Sequence, residues 1–298
     1  MKIVVTGSNG LLGQTLVNLL KKQPEKYQVF GLSRGANRSC RNDFVYHNID
    51  ITQKGLLTAC LQEIQPDCIV NTAAMTNVDA CEEYKEECNR LNITAVGSLS
   101  EFCKAHEIHL IHISTDFIFD GAQGYYKETD PPNPLSHYGH SKLKSEEVVV
   151  NSNISYTILR TILVYGNVPN LGRSNIVLWV REMLKEGKEI TIVNDQYRMP
   201  TYVEDLAVAC QISIDKKVKG IFNISSNTLL TIYEIAQQVA EVFELDQQLI
   251  KPISTAQLNQ RAARPPKTGF DLSKTNKELQ FFPKSFQEDL QRFKETCG

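Results

Sequence analysis

The chain has 298 residues, 42% hydrophobic and 22% charged, with 32 basic against 34 acidic side chains. That is the composition of a soluble globular protein with length enough for one large or two modest cores. The scattered basic residues and a net charge of −2 exclude an electrostatic nucleic-acid surface, and no apolar run approaches the ~20 residues needed to span a bilayer.

The chain opens on a β-branched run, Ile3-Val4-Val5, which predicts a strand. The segment Thr6-Gly7-Ser8-Asn9-Gly10-Leu11-Leu12-Gly13 follows, and Leu12, Leu16, Leu19 and Leu20 then recur at helical spacing. Strand, glycine turn and helix in that order form the setting in which a backbone approaches a pyrophosphate and a helix start offers it free N–H groups. Val29 to Leu32 predicts a second strand, ending in Ser33-Arg34-Gly35. An acidic residue there would read a ribose 2′-hydroxyl, and a basic one accommodates a 2′-phosphate. No Asp or Glu occurs from Tyr27 to Asn42, so Ser33 and Arg34 are the expected 2′-phosphate contacts and NADP(H) the expected cofactor. Asp50, after an apparent strand at Phe44-Val45-Tyr46, either bonds the adenine amine or caps the next helix.

Helices are predicted over 54–64 and 80–104, and strands at Cys68–Val70, Leu110–Ile113 and Tyr156–Leu159. This alternation predicts a parallel sheet with helices on both faces. The strand at 110–113 ends in Ser114-Thr115-Asp116, and a hydroxyl at a strand's carboxyl end sits where such sheets bind ligands. Tyr138-Gly139-His140-Ser141-Lys142 places a phenol and an ammonium on one helical face. The ammonium is expected to favour the phenolate and so fit Tyr138 for proton transfer near neutral pH. His112 reads as a core histidine, and Trp179 as packing or a pocket residue. After Gly166 the pattern changes to a loop, a helix near 174–186 and a strand at Ile190–Val193. Thr231 to Glu234 is a capping-box pattern opening a helix through Ile235, Val239 and Val242. None of the eight cysteines lies in a C-x-x-C pair, and buried reduced thiols are expected, with a cytoplasmic location. No apolar leader is seen before the first strand.

The G-x-x-G-x-x-G turn, the hydroxyl after the fifth strand and Y-x-x-x-K, in this order, resemble the extended short-chain dehydrogenase/reductase family. Further strings resemble its dTDP-4-dehydrorhamnose reductase branch: Asn71-Thr72-Ala73-Ala74-Met75-Thr76-Asn77-Val78-Asp79, Ser114-Thr115-Asp116-Phe117-Ile118-Phe119-Asp120-Gly121, Asn194-Asp195-Gln196-Tyr197 with Pro200-Thr201, and Arg264-Pro265 with Asp271 and Lys274. The resemblance spans nearly the whole chain. It implies a Rossmann-type, doubly wound parallel α/β sheet with a smaller α/β substrate-binding domain. Residues 1–165, with 201–225 returning, would form the first domain, and 166–200 with 226–298 the second.

It further implies that Gly7, Gly10 and Gly13, with Asn9, Leu11 and Leu12, hold the pyrophosphate. Asp50 and Ile51 would lie at the adenine end, and Ala73, Ala74, Thr76 and Asn92 along the cofactor. Thr115, Tyr138 and Lys142 would form the catalytic triad, the last two also touching the cofactor. Val78, Thr115, Phe117, Leu163, Asn175 and Arg264 would face a sugar-nucleotide substrate. Thr15 stands where members with metal-bridged dimers carry glutamate, so no metal site is expected, and a homodimer is left open. Phe117, Leu163, Arg198 and Thr268 depart from the branch's usual tyrosine, tryptophan, glycine and serine. The implied reaction is NADPH-dependent reduction of a 4-keto deoxysugar nucleotide, dTDP-4-dehydrorhamnose to dTDP-L-rhamnose. An epimerase or dehydratase of the same family, and a non-catalytic NADP-binding regulatory subunit resembling the methionine adenosyltransferase β subunit, are the alternatives.

Overall fold

The computed structural model describes residues 1–258 and 260–296. The first half builds β1 (Lys2–Thr6), α1 (Leu11–Leu20), β2 (Gln28–Ser33), β3 (Val45–Asn48), α2 (Lys54–Ile64), β4 (Cys68–Asn71), α3 (Val78–Glu83), α4 (Lys85–Asn89), α5 (Ala95–His106), β5 (His109–Thr115), β6 (Gly124–Tyr126) and α6 (His137–Asn151). The second builds β7 (Tyr156–Thr161), β8 (Val164–Tyr165), α7 (Ile176–Lys185), β9 (Ile190–Val193), β10 (Tyr197–Arg198), β11 (Thr201–Tyr202), α8 (Val203–Lys216), β12 (Gly220–Ile224), β13 (Leu230–Thr231), α9 (Ile232–Val242), β14 (Ile250–Ile253), β15 (Thr268–Phe270) and α10 (Phe286–Thr296).

Seven strands form one parallel sheet in the order β12-β7-β5-β4-β1-β2-β3. The central strands β1, β4 and β5 are almost continuously buried, as strands covered on both faces must be. Strand order reverses between β1 and β4, and the carboxyl ends of these strands open the crevice where such sheets take ligands. One hydrophobic core joins α1 and α8 on one face of the sheet to α7, α9 and α10 beyond it, and a second packs α2 and α5 on the other face. Four two-stranded sheets, β8–β11, β9–β14, β10–β13 and β6–β15, shape the far wall.

The helix at 54–64 and the strand at 190–193 fall where their sequence patterns put them. The expected helix over 80–104 is instead broken. Tyr84, at φ −113° and ψ 58°, separates α3 from α4, and a π-helical turn at Arg90–Thr94 precedes α5. Asp50 does not cap α2, which starts after Gln53; its carboxylate accepts from Thr52 N and Oγ1 at 2.9 and 2.8 Å, closing a local turn. The Thr231–Glu234 capping box forms as expected. Among the described residues no disulfide forms; six cysteines are buried, but Cys40 is exposed. No helix among those residues is long and apolar enough to cross a membrane.

His109, at the start of β5, is buried between Ser155 and Thr157. Thr157 Oγ1 donates to Val218 O, so it accepts from His109 Nε2–H at 2.9 Å, and Ser155 Oγ donates to Nδ1 at 2.8 Å. Burial, aided by the charges of Lys217 and Lys219, brings this imidazole down to about 4. The unfolded chain therefore binds a proton below about pH 6.5 that the folded chain refuses until about pH 4. Stability should fall as pH drops through that window, by up to ~1.4 kcal/mol per pH unit from this group. Urea midpoints measured from pH 7 to 4.5 should decline less steeply in His109→Gln; parallel slopes would remove His109 as a contributor.

Candidate active site

At the end of β1, Gly7 takes φ +66°, and a Cβ placed on Gly13 would lie 2.3 Å from Gly7 O. Only a glycine allows α1 to approach the turn so closely. The turn is closed by Gly10 N donating to Gly7 O at 2.8 Å. Gly10 occupies the N-cap of α1 without a capping side chain, and no acidic residue lies in the first turn. The first N–H groups of α1 and its positive dipole end are thus left for an anion, a cradle that fits a dinucleotide's phosphates.

Asn9 acts one step back from the cradle. Its Nδ2 donates to Ala36 O at 2.9 Å and Arg34 O at 3.2 Å, and its Oδ1 accepts from Arg38 N at 2.9 Å. It thereby holds the loop that carries the exposed Arg34, whose guanidinium lies 4.0 Å from Asp50. Burial raises the Asp50 carboxyl, but the Thr52 hydrogen bonds and Arg34 outweigh it and hold the group below its ordinary value. Ile51 beside it is a core residue. Ala73 and Ala74 are half-buried after β4, and Thr76 is exposed. Asn92, in the π-helical turn, clamps both backbone polar groups of Met75, accepting from its N at 2.8 Å and donating to its O at 3.1 Å. Its amide therefore shapes the loop along the crevice, a role that spacing did not reveal.

Ser136 caps α6 by accepting from Gly139 N at 3.2 Å, and the helix carries Tyr138 and Lys142 side by side. A Cβ on Gly139 would lie 2.2 Å from Phe117 O, so this glycine lets α6 press against the 3-10 turn Asp116–Ile118. Tyr138 is buried, 8% exposed, and near enough to Thr115, at the carboxyl end of β5, for that hydroxyl to lower its proton affinity. Lys142 Nζ donates to Ile113 O at 2.7 Å and lies 3.2 Å from His112 Nε2. Asn71 Nδ2 donates to His112 Nδ1 at 3.1 Å, so Nε2 carries the ring proton and does not accept from Lys142, which keeps N–H donors uncommitted. Burial brings Lys142 down to about 8, opposed by Glu146 and Cys88.

The expected phenolate does not arise: burial pushes Tyr138 above its ordinary value, with only Thr115 pulling the other way. The i,i+4 spacing fixed the shared face, but the Lys142 side chain runs on to the β5 backbone and His112. Tyr138 is thus held as a phenol, the form that gives a proton. His112 is buried and neutral, its own proton affinity well below ordinary through burial and the Lys142 charge.

On the opposite wall, Val78, Phe117 and Met75 pack around Tyr138, and the Phe117 ring meets the Tyr138 ring edge-on at 5.7 Å. Asp116 is buried beneath, accepting from Thr115 Oγ1 at 3.1 Å and from Thr268 Oγ1. Arg198 Nε lies 3.8 Å from Asp116, and its guanidinium sits 5.7 Å from the Phe117 ring centre. Leu163 takes φ +42°, strained for a residue with a branched side chain, and packs against the small apolar cluster that includes Ile118 and Phe119. Asn175 is engaged as the cap of α7, accepting from Leu178 N at 3.2 Å and donating to Gly166 O at 2.7 Å. Arg264 pairs with Asp79 at 2.6 Å, joining the two walls of the crevice. Asp79 and Asp116 stood in the sequence only as members of the resembling strings, without a role of their own.

A family model described as RmlD substrate binding domain matches residues 1–297. The chain is 34% identical to the probable low-salt glycan biosynthesis reductase Agl14 of Haloferax volcanii, over 97% of this chain and 96% of that one. It is 29% identical to methionine adenosyltransferase 2 subunit beta of Bos taurus, over 92% of this chain and 81% of that one. A crystal structure of dTDP-4-dehydrorhamnose reductase from Bacillus anthracis in complex with NADP superposes with a TM-score of 0.87 at 28% identity, covering 99% of each chain.

Proposed function

Because the chain belongs to the RmlD substrate-binding domain family, we propose that it is an NADPH-dependent reductase of a 4-keto deoxysugar nucleotide, with dTDP-4-dehydrorhamnose, reduced to dTDP-L-rhamnose, as the foremost substrate. The family is one of sugar-nucleotide reductases. The observation that carries the reading is the meeting of Thr115, Tyr138 and Lys142 at the crevice whose floor is the uncapped start of α1. We take residues 1–165 with 201–225 as the cofactor-binding unit, since β12 joins the large sheet, and 166–200 with 226–298 as the sugar-binding unit.

In this reading Gly7, Gly10, Gly13 and the first turn of α1 hold the dinucleotide phosphates. Ser33 and Arg34 receive the 2′-phosphate, and Lys142 offers its free N–H to the nicotinamide ribose. The bound NADPH supplies a hydride. Tyr138, kept protonated by burial, donates its proton to the substrate's carbonyl oxygen. Thr115 orients that oxygen, while Val78, Phe117, Leu163 and Arg264 border the sugar nucleotide. An alkoxide developing in so buried a place is stabilised mainly by these fixed donors.

Absorbance at the reduced-nicotinamide band, followed with NADPH and a panel of 4-keto sugar nucleotides, tests the reading. Oxidation should follow addition of dTDP-4-dehydrorhamnose. Arg34→Ala should weaken NADPH binding roughly tenfold and leave NADH binding unchanged, as loss of one charged contact worth about 1.4 kcal/mol requires. Equal weakening of both would move the 2′-phosphate site elsewhere.

A second reading, a non-catalytic NADP-binding regulatory subunit, is favoured by the likeness to the methionine adenosyltransferase subunit and by Arg198 filling the space beside Phe117. It expects NADPH binding with no oxidation across the panel. A dehydratase or epimerase is disfavoured, since Asp116 is followed by Phe117 rather than by a second acid and no acidic residue occurs at the end of β2, from Tyr27 to Asn42.

A further inference from the structure

His112 on β5 is fully buried, yet both of its ring nitrogens belong to a directed chain of hydrogen bonds that ends beside Lys142. The chain starts at Thr6, the last residue of β1 before the glycine turn. Thr6 Oγ1 donates to Asn71 Oδ1 at 2.5 Å, which turns the Asn71 amide nitrogen toward β5 and the His112 Nδ1. A neutral imidazole that accepts at Nδ1 carries its proton on Nε2. The other end of the chain requires the same tautomer independently. Ser145 Oγ spends its own proton on Lys142 O at 2.7 Å, so at 2.9 Å from His112 Nε2 it can only accept. Lys142 Nζ lies 3.2 Å from that Nε2 and donates to Ile113 O at 2.7 Å. An ammonium that faces an N–H instead of a lone pair finds no acceptor there, and the contact disfavours its positive charge.

We propose that His112 is a positioning residue for Lys142: held in its Nε2–H form by Asn71 and Ser145, it denies the ammonium an acceptor beside β5, confines its buried bond to Ile113 O and leaves its other N–H groups for a ligand in the crevice. The proposal rests on the reading of Lys142 as the group that meets the nicotinamide ribose. In the other tautomer the Nε2 lone pair would accept from Lys142, and the ammonium would be tied to β5 twice. The same N–H works alongside the burial that brings Lys142 down to about 8. Among the described residues, the other titratable groups that act on Lys142 are Glu146, one turn on along α6, and Cys88 on α4; both oppose that fall. Glu146 is itself paired with Arg160 of β7.

Two NMR measurements on the full-length protein, both without substrate, test this. With nitrogen-15 histidine, long-range proton–nitrogen correlations should show the His112 proton on Nε2, unchanged from about pH 8 to about pH 6; His112→Gln assigns the signal by its loss. A proton on Nδ1, or an imidazolium in that range, overturns the proposal, and this measurement decides alone if the next variant does not fold. With carbon-13 lysine, the Lys142 Cε resonance is followed against pH in the unsubstituted chain and in Asn71→Leu. That variant removes the donor to Nδ1 without adding a charge, so the ring is free to turn a lone pair on Nε2 to the ammonium. Lys142 should then titrate roughly one pH unit higher, the shift that a new hydrogen bond to a charged group brings. A titration that stays or falls overturns the proposal. The alkaline limb of kcat should rise with the resonance. A limb that stays while the resonance moves overturns the catalytic reading of Lys142 and upholds that of His112, and absence of turnover in the unsubstituted chain overturns the reductase reading alone.

Discussion

Tyr138→Phe should lower kcat for the 4-keto sugar nucleotide by a factor on the order of 10²–10⁴, about 3–5 kcal/mol of barrier. The change removes the phenol beside Thr115 and leaves the ring packed on Phe117. NADPH affinity should stay within about twofold, because the glycine cradle and Lys142 are untouched, so the loss belongs to kcat rather than to binding. Single-turnover oxidation of bound NADPH, compared with the NADPH Kd from fluorescence, separates the two. Near-normal turnover in the variant would show that another group delivers the proton.

Glu146→Ala should cost about 3–5 kcal/mol of stability, the expense of stranding a buried charge. Arg160 and Glu146 are each only 4% exposed and meet through Arg160 Nε at 3.0 Å and Nη2 at 2.7 Å. Arg160 Nη1 also donates to Glu128 O at 3.0 Å, and Glu128 accepts from Asn223 N at 3.0 Å. The pair thus ties α6, the helix of Tyr138 and Lys142, to β7 and β12. Replacing both members by Leu and Met should restore most of the loss, since well-packed apolar side chains often match a buried pair. Urea unfolding of the two single variants and the double variant decides it. A Glu146→Ala cost below about 1 kcal/mol would mean that water reaches Arg160.

Much of this was legible because local chemistry repeats along the chain. Apolar runs such as Cys68–Val70 marked strands buried on both faces, and Gly7, Gly10 and Gly13 marked a turn that side chains would block. Tyr138 and Lys142 were placed on one face by helical spacing alone. What could not be read depends on distant partners or on rotamers. Tyr84 is neither glycine nor proline, so nothing local announced the break between α3 and α4. Asp79 meets Arg264 and Asp116 meets Arg198 across separations that no window spans. The Lys142 ammonium turned from the phenol to Ile113 O, a choice made by side-chain torsions. Asn92 and Asn175 sit where expected in the chain, yet their amides serve the backbone.

The position of β12 has a consequence for how the chain is made. Strand β7 lies next to β12 at the edge of the large sheet, and the residues that cover it, Gly220–Ile224, come some sixty positions later. During synthesis from the amino terminus at about 5–20 residues per second, β7 stands as an open, apolar edge for several seconds. Such an edge invites pairing with a neighbouring nascent chain. A chain stopped short of residue 220 should therefore collect in inclusion bodies, while its cofactor cradle is already complete in sequence.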